Sequence, residues 1–148
     1  MKTKYALKAL ALLASGPVGE PMLIADIAER EDIPKKFLEA ILAELKQHGF
    51  VRSRKGRGGG YLLARSPDTI TLASIVRVLD GPIAPVPCLS RTAYRRCEGC
   101  KDEATCGVRL ALREAHAASV AVLEGTTLLD MVTRQQTASS PAALRYSI

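Results

Sequence analysis

The chain has 148 residues, a formal net charge of +6 and a sequence pI near 9.4. That length buries one real core and excludes two full domains, and the basic balance favours a polyanionic partner such as nucleic acid. No apolar run is long enough to span a bilayer, so a membrane partner is not expected.

The opening MKTKYALKALALLASG has a basic head and an apolar run like those of a signal peptide, but Lys8 interrupts the run. We read Tyr5 to Ala14 as a structural helix, apolar at nearly every position and so covered on more than one side. The expected location is therefore cytoplasmic. Gly16, Pro17 and Gly19 break this helix, and Leu23 to Arg30 forms a short second one with Ile24, Ile27 and Ala28 inward. Asp32, Ile33 and Pro34 make a tight connection to a helix from about Pro34 to His48, whose apolar face is Ile33, Phe37, Leu38, Ile41, Leu42 and Leu45. Two short helices meeting at such a turn predict a helix-turn-helix, with the N-terminal residues of the second entering the major groove of duplex DNA.

Gly49 ends that helix, and two short strands follow, Phe50 to Arg54 and Tyr61 to Ala64, joined by a loop from Lys55 to Gly60. Helix, strand, glycine loop, strand is the order of a winged helix. Lys35 and Lys36 lie in a first helical turn, where the macrodipole disfavours cations by about 0.3 to 1 kcal/mol each, so an anion in front of them is the expected compensation. Arg52, Arg54, Lys55 and Arg57 follow with no intervening acidic residue, while Gly58, Gly59 and Gly60 let the loop approach a grooved surface. These nine residues are the candidate DNA contacts.

Thr71 to Leu79 is a further helix, with Leu72, Ile75, Val76 and Leu79 inward, and Gly81, Pro82, Pro85 and Pro87 then make an irregular linker. The cysteines that follow, Cys88, Cys97, Cys100 and Cys106, have the spacing C-x8-C-x2-C-x5-C. That departs from zinc-ribbon and ferredoxin patterns, yet thiolates this close can hold zinc or an iron-sulfur cluster. Such a loop is ordered by its metal and so makes a switch. Arg91, Arg95, Arg96 and Lys101 are expected around the sulfurs, favouring thiolate. The competing reading is a metal-free thiol-disulfide switch, with Cys97 and Cys100 as the pair. His48 and His116 read as ordinary helix residues.

Val108 to Leu123 returns to helix, with Leu112, Ala115, Ser119 and Val122 as a seam of mostly small residues, predicting a two-fold dimer. Gly125 stops it, Thr126 or Thr127 caps a short last helix through Met131, and Gln135 to Ile148 reads as a disordered tail. The predicted architecture is mainly α with a small β-wing. Residues 1–65 form the winged helix-turn-helix, 66–86 a connecting helix and linker, and 87–107 a cysteine-rich sensor loop. A dimerisation helix and short C-terminal helix then occupy 108–134, and the tail 135–148.

YALKAL, IADIAER, IPKKFLEAIL, GRGGGYLLAR, ITLASIVRVLDGP and a cysteine loop before a long helix together resemble the bacterial regulator family of IscR, NsrR, RirA and CymR, over about residues 2 to 133. The resemblance implies a homodimeric winged-helix transcription regulator whose long helix crosses its twin. It also implies, for many members, a 2Fe-2S or 4Fe-4S cluster on three cysteines and one further ligand. Cys88, Cys100 and Cys106 match the family's three-cysteine spacing, and Cys97 is additional. Arg109 stands where the IscR pattern has a histidine ligand, and Lys4 where the NsrR pattern has an acidic one, so Cys97 is expected as the fourth ligand or as a resolving thiol. The expected function is a repressor on a palindromic operator, controlled by an iron-sulfur cluster or by thiol redox state, with zinc or no metal as alternatives. The competing class is a metal-cluster carrier or scaffold that uses the winged helix for protein contact. No Ser-His-Asp set or carboxylate pair points to an enzyme.

Overall fold

The computed structural model describes residues 1–140. In order, the elements are α1 (Lys2–Ser15), α2 (Ile24–Glu31), α3 (Lys35–Gln47), β1 (Val51–Arg54), β2 (Gly60–Leu63), α4 (Leu72–Leu79), α5 (Gly107–Gly125) and α6 (Leu128–Ala138). The result is mainly helical, with a two-stranded antiparallel wing.

The nearly unbroken apolar sequence of α1 places it at the centre. Ala6, Ala9 and Leu10 are wholly buried, and α1 packs against α2, α3, α4, α6 and β2. Its alanines let those neighbours approach, and Leu10 joins Ile27, Leu38, Leu42, Leu45, Ile75 and Leu128 in one core. The second layer that the sequence demanded around α1 is supplied by α6, whose Leu128 and Val132 are buried.

The helix-turn-helix is fixed by backbone chemistry. Asp32 adopts a left-handed conformation, φ 51° and ψ 55°, and its N–H donates to the carbonyls of Ala28 and Glu29. Ile33 N–H then donates to Ala28 O at 2.9 Å and buries its side chain, turning the chain sharply into α3. At the far end Gly49, φ +74°, closes α3 with Gly49 N–H on Lys46 O and Phe50 N–H on Leu45 O, the paired bonds of a Schellman stop. The buried face of α3 is Leu38, Ile41, Leu42 and Leu45. Phe37, expected inward, is 56% exposed. It sits at the margin of that stripe, where its ring meets the Tyr5 ring edge-on with centroids 6.3 Å apart.

The strands pair with Val51 opposite Leu63, Ser53 opposite Tyr61 and Arg54 opposite Gly60, one residue inside the expected limits at Phe50 and Ala64. Met22 adds an unexpected third edge, exchanging two 2.8 Å backbone hydrogen bonds with Tyr61. That pairing explains Gly60, whose φ is +143° and whose Cα faces the Met22 carbonyl so closely that any Cβ would collide with it. Gly59 is likewise pressed against the Arg54 carbonyl oxygen.

Thr71 caps α4, its Oγ1 accepting Ser74 N–H at 3.2 Å, and Ala73, Ile75 and Leu79 are buried, with Leu72 and Val76 half-buried. Just before α4 the chain pairs with the entry to α6: Leu72 N–H donates to Thr126 O and Leu128 N–H to Ile70 O, at 2.9 and 2.8 Å. Thr127 then caps α6 in a reciprocal box with Asp130. The expected tail is corrected in part, because α6 continues through Ala138 and carries Gln135–Ala138 as helix. The rest of the expected tail, 141–148, lies outside the described residues. Thr133 and Thr137 are exposed there, so apolar spacing gave no sign of a helix held by its other edge against α1.

Candidate functional site

The winged unit presents two basic patches. The first is the start of α3, which has no acidic residue in its first turn and, with Pro34 as cap, no side chain bonding its free N–H groups. Lys35 and Lys36 are exposed there. The second is the wing, where Arg52 and Arg54 alternate outward along β1 and Lys55 and Arg57 occupy the tip, all exposed. Among the described residues the ion pairs join Lys2 to Glu44, Lys8 to Glu31, and Arg77 and Arg91 to Glu124, so none of these six cations is neutralised within the chain. Bare helix N–H groups, unpaired lysines and a cationic hairpin form an anion-binding surface.

The three wing glycines divide by role. Gly58, φ +73° with open space around it, is the freely approachable tip. Gly59 and Gly60 are required by the internal packing described above, a need for glycine that holds apart from any contact with DNA.

The cysteine segment forms a second site. Cys88 is buried in a single helical turn, Pro87–Leu89, and Arg95 N–H donates to Pro87 O at 3.3 Å, drawing the Cys97 segment alongside it. Cys97 and Cys100 flank a turn closed by Cys100 N–H on Cys97 O at 3.2 Å, and Cys106 is the residue from which α5 starts. All four thiols are free and line one cavity of about 500 Å³, together with Val86, Glu103 and Arg109. Burial pushes the Cys88 thiol above its usual range, and the neighbouring Cys97 thiol pushes it further. Arg109 opposes that shift.

One expectation about this segment changes. The sulfurs were to be ringed by Arg91, Arg95, Arg96 and Lys101, but Arg91 reaches away to Glu124 at 2.8 Å, and Arg96 spends its guanidinium on the Cys100 and Lys101 carbonyls at 3.1 Å. The cations that line the cavity with the sulfurs are Lys101, as expected, and Arg109, whose Nε is buried with no hydrogen-bond partner. Its signal in the sequence was its place three residues after Cys106. Cys97 and Cys100, the pair expected of a thiol-disulfide switch, stand on either side of that closed turn with both thiols free.

As they stand, no three His, Cys, Asp or Glu side chains among the described residues converge on a common metal position. The donor chemistry nevertheless fits an anionic iron-sulfur cluster: four thiols on one cavity, Arg109 with its unpartnered Nε in the same lining, and the positive end of a 19-residue helix beside Cys106. Ligation then requires the 97–106 loop to tighten.

From this cavity α5 runs as a long arm. Only His116 and Val120 are buried on it, while Val108, Ala111, Ala115, Ala118 and Val122, spaced by three and four, form an exposed apolar stripe. Ser119 and Val122 of the expected seam are exposed and Leu112 is half-buried. Glu124 near its end holds Arg77 of α4 at 2.6 Å and Arg91 of the cysteine segment at 2.8 Å, tying the cysteine segment, α5 and α4 together.

Comparison with known proteins identifies the family. An rrf2-like HTH-type transcriptional regulator of Rhodobacter capsulatus is 43% identical over 145 residues, covering 96% of this chain and 94% of its own. The solved structure of CymR, the global cysteine regulator of Bacillus subtilis, superimposes with a TM-score of 0.75 at 31% identity, covering 90% of this chain and 95% of that one. IscR of T. potens gives 0.73 at 28% identity over 99% and 94%. The family model for Rrf2, iron-dependent transcriptional regulators, matches residues 1–134, and the chain belongs to that family as a helix-turn-helix, DNA-binding transcription regulator rather than an enzyme.

Proposed function

We propose that this regulator is a homodimeric repressor whose affinity for a palindromic operator is set by the chemical state of the Cys88 to Cys106 loop, with iron-sulfur ligation as one of those states. The observation that carries the reading is the confluence of all four thiols on one cavity at the root of the unpartnered α5 arm. Cys88, Cys97, Cys100 and Cys106 would hold the cluster, which when bound supplies one-electron redox chemistry and sensitivity to oxidants. Arg109 balances its negative charge.

The stripe on α5 supports pairing with a second copy, which gives two α3 helices for the two half-sites of a symmetric operator. Lys35 and Lys36 lead each helix into the groove, and Arg52, Arg54, Lys55 and Arg57 grip the flanking phosphates. Tightening of the loop pulls on Arg91, and through Glu124 and Arg77 that pull reaches α4 and the spacing of the two reading heads.

The test is anaerobic purification, with visible absorption and iron, sulfide and zinc analysis on one sample, followed by operator binding before and after metal removal. Brown protein with near-equal iron and sulfide, whose affinity for DNA changes on stripping, is expected. Equal affinity in loaded, stripped and oxidised forms would overturn control by the loop.

A further inference from the structure

On a different flank of α5 from the exposed stripe, a second cavity of about 340 Å³ opens between the helix and the cysteine segment. Arg113, His116, Ala117, Ala121 and Glu124, spaced by three and four along α5, form one wall, and Leu89 and Arg91 form the other. None of the four thiols lines it. We infer that this cavity binds a small carboxylate with a short apolar tail; the site stands apart from the cysteine centre, and only its regulatory meaning rests on the proposed function.

Charge, an unused donor and the shape of the floor each point to that ligand. Glu124 is the acid in the lining, and both its oxygens are already engaged, one by Arg77 at 2.6 Å and the other by Arg91 at 2.8 Å. Arg113 enters no ion pair among the described residues, so the cavity faces an excess of positive charge. His116 is 9% exposed and, with Val120, is what α5 buries, yet among the described residues its ring enters no hydrogen bond. A leucine would fill a purely structural position there without the cost of desolvating a polar ring. A ring N–H without a protein acceptor, set in a cavity wall with two guanidiniums, is matched by an oxyanion. Leu89, Ala117 and Ala121 supply an apolar floor, and the two alanines leave the space open, which favours a carboxylate carrying a short hydrocarbon tail over a bare inorganic anion. The volume falls at the small end of the range for ligand pockets, about 300 to 1,000 Å³. An occupant that draws on Arg91 relaxes its bond to Glu124, the residue that also holds Arg77 of α4.

The chain has two histidines, His48 and His116, so the imidazole region of a proton–carbon NMR spectrum carries one reporter and one internal control. His48 is exposed at the end of α3, remote in sequence from the cavity. Full-length, histidine-labelled protein is titrated with butyrate, acetate and inorganic phosphate, with ionic strength held constant by sodium chloride. The expected result is a saturable shift of the His116 signal with butyrate while His48 stays still. Acetate, with two fewer methylenes to bury, should bind about tenfold more weakly. Arg113→Gln, at an exposed position, should keep its unfolding midpoint and lose about tenfold or more in butyrate affinity, while Arg134→Gln on α6 keeps that affinity. A His116 shift no larger than chloride produces, an equal response of His48, equal affinity for butyrate and phosphate, or unchanged affinity in Arg113→Gln would overturn the site. Operator affinity is read separately, with and without butyrate. A change that Arg113→Gln abolishes supports the regulatory role; saturable binding with unchanged DNA affinity refutes that role while leaving the site standing, whatever the cysteine loop controls.

Discussion

Replacing Lys35 and Lys36 together with Ala tests the reading head directly, because the structure gives these residues no role in stability. Both are exposed and free of ion pairs, and they sit where the α3 dipole opposes them. Removing them should leave thermal unfolding unchanged or slightly raised. If each lysine meets one phosphate in a two-fold complex, four contacts disappear. At about 0.9 counterions per phosphate, the slope of log K against log salt falls in magnitude by about 3.6. Between 50 and 200 mM salt, wild-type affinity should therefore drop about 150-fold more steeply than that of the variant. The assay is fluorescence anisotropy across a salt series, on a duplex that the wild-type protein selects from a random pool. Arg134→Gln on α6 serves as the charge control. A folded double variant whose slope changes by less than one, or whose affinity equals that of wild type, would refute the placement of α3 on DNA.

Four further outcomes follow from the geometry. Gly60→Ala drives a Cβ into the Met22 carbonyl at a left-handed φ and should cost about 2 to 5 kcal/mol in urea unfolding, while Gly58→Ala, strained in φ alone with open space around it, costs about 1; equal costs would remove Met22 from the wing. Thr127→Ala should cost about 1 kcal/mol by loss of the α6 cap, visible as a lower urea midpoint at unchanged slope. The Asp130 carboxyl is held below its ordinary value of 3.8 by Thr127 N–H and hydroxyl bonds, so its stabilisation is complete above that pH and is lost as pH falls through the lower folded value. Acid titration of wild type against Asp130→Asn should show that difference vanish only at strongly acid pH. Val108→Glu with Val122→Glu places charges on the exposed stripe of α5 and should give a folded monomer by sedimentation; an unchanged dimer would move the interface elsewhere.

The elements that sequence alone delivered are those governed by local rules. Leu38, Ile41, Leu42 and Leu45 at helical spacing, Gly49 as a stop and the glycine-rich loop between β1 and β2 each state their own structure. Two failures share a different cause. Met22 lies beside Pro21 in a segment without alternation, and one residue pairing with Tyr61 leaves no periodic trace. The approach of the Cys97 segment to the Cys88 turn depends on how the eight intervening residues fold back to join Arg95 N–H to Pro87 O, information that cysteine counting does not hold. Arg109 was visible as a departure from a pattern, but its orphaned Nε required knowing what surrounds it.

The return of α6 onto α1 carries a consequence for how the protein is made. Leu128 is a wholly buried member of the same core as Leu10 and Leu38, so the reading head finishes only when the last helix arrives from the ribosome. A nascent chain stopped anywhere in the cysteine segment leaves one flank of α1 bare and Thr71 without its strand-like partner Thr127. A fragment that stops short of α6 therefore lacks part of the core on which the winged unit is built.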